Sequence, residues 1–151
     1  KSETRELFRQ RTQSAAHDIA LWPGDGGLEC LLEPRWFFPF STESLNAPLY
    51  GQWYQTRGKQ GEQPPEIIKT QMDIFDEIIS SPSDDQKKKL FSKIIRANHE
   101  NLWVIGLIYQ PADYYVVANN MRNVPEKDYQ SWIYPNPGPI NPEQFFFQTS
   151  K

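Results

Sequence analysis

The strongest constraint on the fold lies between residues 65 and 99, where two helical apolar stripes follow one another directly. Ile68, Met72, Phe75 and Ile79 stand at i, i+4, i+7 and i+11, the spacing of one helix face. They predict a helix over about 65–79, with Pro65 suited to its first turn. Ser80-Ser81-Pro82-Ser83 breaks it. A second helix then runs over about 83–99, with Leu90, Phe91, Ile94 and Ile95 inward. Its cap is either Ser81, with Pro82 at the first position, or Ser83, with Gln86 three residues later. Two amphipathic helices must both lie on something apolar, so the chain has to supply a layer to cover them.

Two apolar runs can supply it. Residues 102–109, Leu-Trp-Val-Ile-Gly-Leu-Ile-Tyr, read as a strand. Pro111-Ala112-Asp113 reads as a turn, and residues 114–119 as a second, antiparallel strand. Near the start, residues 2–16 read as a polar helix with a thin face of Leu7, Phe8, Ala15 and Ala16. Residues 17–22 follow as a short run, apolar on both faces as in a central strand. Pro23-Gly24-Asp25-Gly26-Gly27 then signals a turn. Helix, apolar strand and glycine-rich turn in that order are the pattern of an α/β layer.

Residues 28–66 show little periodicity. They hold five prolines (34, 39, 48, 64, 65) beside Trp36, Phe37, Phe38, Phe40, Tyr50, Trp53 and Tyr54. So many aromatics argue against disorder, and the stretch is expected to be an ordered, aromatic-pinned excursion. After Pro125 the chain is again irregular, ending on the apolar knot Phe145-Phe146-Phe147.

Composition removes several classes of function. The net charge is −3 with no long basic run, so a nucleic-acid footprint is absent. Lys87-Lys88-Lys89 sits beside Asp84 and Asp85 and reads as a solvated helix face. No apolar run approaches the roughly 18 residues that suggest a membrane span. Cys30 is the single cysteine and reads as a small buried apolar residue.

Catalytic constellations are weak. His17 and His99 are the only histidines and stand in unlike contexts, whereas a zinc site needs more ligands at regular spacing. Cys30 and His99 lack any local thiol–imidazole signature. Asp25-Gly26-Gly27 lacks the Gly-Lys-Ser/Thr ending of a phosphate loop. No catalytic residue, metal or cofactor is therefore expected. Binding has better candidates. Asp25 follows the C-terminal end of the expected central strand, where open α/β sheets hold ligands. Gly26 and its neighbours allow close backbone approach. Trp22, Trp36 and Trp53 offer flat apolar walls. The plainer alternatives are a turn-forming role for Asp25 and core packing for each tryptophan.

Three stretches carry a resemblance: Trp103-Val104-Ile105-Gly106 through Val116-Val117-Ala118-Asn119-Asn120-Met121-Arg122-Asn123-Val124-Pro125; Asn141-Pro142-Glu143-Gln144-Phe145-Phe146-Phe147; and Asp18-Ile19-Ala20-Leu21-Trp22 followed by Gly24-Asp25-Gly26-Gly27. In their order along the chain they resemble the C-terminal region of the family 5 extracellular solute-binding proteins, receptors for oligopeptides, dipeptides and nickel in ABC importers. The resemblance implies a type II periplasmic-binding-protein-like fold, a mixed sheet flanked by helices, closing on its solute between two lobes. Residues 1–151 would be the C-terminal part, mostly second lobe, with about 126–151 a tail returning toward the first. It also implies a non-enzymatic protein, monomeric when full length and periplasmic or extracellular. Its partners would be a small solute and a membrane permease, and any membrane anchor would lie in the absent N-terminal part. In oligopeptide receptors of the family, an Asp after a Trp-containing strand holds the peptide ammonium, and Trp22 and Asp25 occupy the matching places. The turn here is richer in glycine, which leaves an oligosaccharide open beside an oligopeptide. The competing expectation is a stand-alone aromatic-rich module that holds a protein partner.

Overall fold

A computed structural model describes residues 3–23, 30–108, 112–128, 135 and 137–149. It is a mixed, helix-rich structure with a short antiparallel pair of strands. The described residues fall into two compact units. The first holds 3–23 and 31–105; the second holds residue 30 and the described residues from 106 onward.

The first unit is built on the helix pair the sequence predicts. Helix α1 (Arg5–Gln13) starts at Thr4, whose hydroxyl accepts from the Leu7 amide at 3.4 Å. It is shorter than the expected 2–16 because Ser14 leaves the helical region and Ala15 takes a positive φ of 55°. Helix α2 (Pro48–Gln55) lies inside the stretch expected to lack periodic structure. Pro48 stands in its first turn, where the missing amide proton costs nothing. Helix α3 (Glu66–Ser80) and helix α4 (Asp84–Asn101) match the two stripes. Of the two possible caps for α4, Ser83 is used: its hydroxyl accepts from the Gln86 amide at 3.4 Å. Leu102, at φ 54° and ψ 31°, ends α4 in the left-handed region.

The core of this unit is Phe38, Ile68, Met72, Phe75, Ile78, Leu90, Phe91 and Ile94. Ile78 is buried in place of the expected Ile79, which is 66% exposed. The buried stripe runs 68, 71, 72, 75, 78, and Ile79 falls one step past it at the helix end. Ile95, also expected inside, is partly exposed, because the inward face of α4 runs through Leu90, Phe91, Ile94 and Asn98.

The aromatic stretch supplies the layer that covers the helix pair. Phe38 packs at 5.1 Å between ring centroids on Phe75 of α3, and Phe40 at 5.5 Å on the same ring. Phe37 meets Phe91 of α4 edge-on at 5.1 Å. A buried polar link joins the three parts. Gln71 Nε2 donates to Asn98 Oδ1 at 3.1 Å and to the Ile94 carbonyl at 3.3 Å, while Asn98 Nδ2 donates to the Phe37 carbonyl.

In the second unit, strand β1 (Met121–Arg122) pairs antiparallel with strand β2 (Phe146–Phe147), Met121 opposite Phe147 and Arg122 opposite Phe146. The Gln148 amide extends the pairing to the Asn120 carbonyl at 2.8 Å. Arg122 Nε donates to Gln148 Oε1 at 2.8 Å, and Asn123 Nδ2 donates to the Gln144 carbonyl at 3.2 Å. Asn123 and Asn141 both take positive φ, 65° and 52°, which asparagine tolerates better than most residues.

The expected strands at 17–22, 102–109 and 114–119 do not form ladders among the described residues. Tyr109 lies outside those residues, as does part of the 111–113 turn. The physical reason is visible in exposure. Ile19 and Ile108 are each 91% exposed and Val116 is 93% exposed. A strand-type sequence becomes a strand only by pairing, and these segments have no neighbouring edge among the described residues.

Candidate ligand-binding site

Three of the five residues expected to bind a ligand can be placed. Trp22 stacks on Phe8 of α1, with centroids 4.8 Å apart and rings 17° from parallel. The Arg5 guanidinium lies 6.0 Å from the Trp22 centroid, within reach of a cation–π contact. Helix α1 therefore takes up part of the Trp22 surface, and the rest stays open to solvent. Trp36 ends the short 3-10 helix Pro34–Trp36. The neighbouring Arg35 guanidinium lies 4.9 Å from its ring centroid. Its buried Nε1 has no acceptor among the described residues. Trp53 sits on α2 and is half-buried. A methyl group added at Gly58 would stand 3.4 Å from Trp53 Nε1, so this ring also walls the turn that follows α2. Among the described residues no ring contact joins two of these three tryptophans. Asp25 and Gly26 lie outside the described residues.

Charged groups that sequence reasoning passed over surround this stretch. Arg35 is largely buried and bridges Glu33, at 3.0 Å, and Glu43. The two carboxylates outnumber the single guanidinium, so the cluster carries net negative charge beside the Trp36 indole. Its signal was readable: an arginine flanked by acids within one aromatic stretch. Tyr54 donates from its hydroxyl to Asp76, which also pairs with Arg57 at 3.2 Å. Burial, then the hydrogen bond and charge of Asp76, push the Tyr54 phenol well above its usual range; Arg57 pulls the other way. The Gln71–Asn98 link was also legible, since each amide interrupts an otherwise apolar helix face.

His17 Nε2 lies 3.1 Å from the Leu45 carbonyl, and His99 is exposed near the end of α4. Among the described residues no group of three or more His, Cys, Asp or Glu gathers. No helix among them is long and apolar enough to cross a membrane. No protein-family model and no curated protein matches the chain.

Proposed function

We propose that this chain is the C-terminal part, mostly second lobe, of the substrate-binding component of an ABC import system. It would have a type II periplasmic-binding-protein-like fold and act in the periplasm or outside the cell. It captures a peptide or a similar polar solute between two lobes and delivers it to a membrane permease, with no catalysis. The observation that carries this reading is the joining of two of the resembling stretches. Residues 119–123 and 144–148 lie more than twenty positions apart, yet they meet through a ladder and side-chain hydrogen bonds. A second observation supports it. The apolar runs 17–22, 102–108 and 114–119 have strand chemistry, and Ile19, Ile108 and Val116 within them are nearly fully exposed, as strands would be if the rest of a larger sheet belonged to a longer protein.

In this reading Trp22 forms an apolar wall and Asp25 and Gly26 make the close polar contacts. Trp36 and Trp53, both half-buried, add further apolar walls. The Asp25 carboxylate accepts charge-assisted hydrogen bonds from a cationic or hydroxyl-bearing solute. The test is mass spectrometry of the solute co-purified with the full-length protein, then calorimetry of that solute with Asp25→Ala. A ligand-holding Asp25 predicts a binding loss of about 2–5 kcal/mol with melting temperature little changed. A lower melting temperature with affinity intact makes Asp25 a loop former and removes it from the site. The stand-alone module would instead hold a protein partner through the aromatic stretch, where Trp36, Tyr50 and Trp53 are half-buried. It predicts no retained solute and a protein partner bound by the isolated chain.

A further inference from the structure

We propose that the outward face of α4 is a docking surface for anionic phospholipid headgroups. The inference stands apart from the receptor reading, since it needs neither a solute nor a second lobe. Lys88, Lys89, Lys93 and Arg96 are exposed. Only Lys87, in the same basic run, has a carboxylate partner among the described residues, Asp84 at 3.5 Å. At about 100° per residue, the four cations fall within an arc of about 140°. That arc lies opposite the face of Leu90, Phe91, Ile94 and Asn98, which is buried. Packing against the core therefore aims the charges together at solvent.

The stripe is about 12 Å long, from eight steps of helix rise. Asp85 and Glu100 lie at its two ends, and no acidic residue falls between them. The molecule as a whole carries net charge −3, but fields of exposed charges are screened beyond about 10 Å at ordinary salt. A surface that touches the stripe therefore meets the local charge. The outward side of α3 has the opposite sign, with Glu66, Asp73 and Glu77 exposed, which favours one orientation on a negative surface.

The kind of cation selects the partner. Three of the four are lysines, and no aromatic residue lies on this face. Protein interfaces favour arginine and aromatics and are depleted in lysine. Lysine is a mobile point charge suited to a fluid array of headgroup phosphates. Each basic residue near such a surface strengthens binding about fivefold.

The test is co-sedimentation of the full-length protein with vesicles of phosphatidylglycerol and phosphatidylcholine, and of phosphatidylcholine alone. Binding is expected only to the anionic vesicles and is expected to fall as salt is raised. Lys89→Gln with Lys93→Gln should weaken it about 25-fold, from two charges at about fivefold each, with the helical circular dichroism and melting temperature unchanged. Arg9→Gln with Lys59→Gln, equal in charge and outside α4 in the same unit, should leave it intact. Equal loss in both double variants would show a bulk charge effect and overturn the assignment to α4. Equal binding to neutral vesicles, or none to anionic ones, would overturn the lipid. Retention on a polyaspartate matrix without vesicle binding would overturn it in favour of an acidic protein.

Discussion

Gly51 stands where α2 passes close to the backbone of Ser41. A methyl group there would meet the Ser41 carbonyl oxygen at 2.4 Å and its amide nitrogen at 2.7 Å. Neither backbone atom can swing aside as a side-chain tip could. Gly51→Ala gains helix propensity, about 0.8–1.0 kcal/mol at an open site, yet it should lower stability by about 1–3 kcal/mol through overpacking. Urea unfolding checks the sign; a stabilised variant would mean that α2 can shift away from Ser41. Tyr54 makes a prediction in pH. Its proton is held more tightly in the folded chain, chiefly by burial and then by Asp76. A group with a raised folded pKa contributes stability that is full below its unfolded value, about 10 for tyrosine. That stability is lost as pH rises further. Stability should therefore fall above pH about 10, and less steeply in Tyr54→Phe. Parallel curves for the two proteins would exclude the Tyr54–Asp76 bond as the cause.

At the scale of elements, α3 and α4 were readable because each carries its whole instruction in one stripe, with Ser83 and Pro65 marking their starts. The expected strands depended on partners outside the segment, and no periodicity in Ile19–Trp22 or Val104–Ile108 can provide a neighbouring edge. Helix α2 is hard to read from sequence for another reason. Leu49, Tyr50, Trp53 and Tyr54 do have helical spacing, but the prolines on both sides carry the signature of loops. Pro48 was in truth a start signal. For the candidate site, the sequence exposed the types of residue but not their contacts: the use of Trp22 by Phe8, or of Arg35 by two glutamates, needs the fold. The covering role of the aromatic stretch yields a test. Phe38 has no exposed surface and touches Phe40, Tyr54 and Phe75. Phe38→Ala should cost about 3–5 kcal/mol, as much as a residue within α3 itself. A loss below about 1 kcal/mol in denaturant titration, far under that range, would mean that the stretch rests on the helix pair without completing its core.

For the whole molecule, the two units differ in how they are held. The first has a buried core; in the second, the described residues are mostly exposed and rely on hydrogen bonds. Hydrogen exchange should reflect this. Amides of α3 and α4 should exchange slowest, and those of 104–108 and 114–118 fast in the isolated chain. If the larger sheet of the proposed receptor exists, the same amides become slow in the full-length protein. Equal, fast exchange in both would remove that sheet. The joining of Asn120–Asn123 to Gln144–Gln148 has one more consequence. Because both ends are tied to each other, the chain between them spans a closed loop, and closure depends on length only logarithmically. Doubling such a loop costs only about 0.6 kcal/mol. Related sequences should therefore differ freely in length between residues 124 and 140, while the asparagines that bend the backbone at either end stay in place.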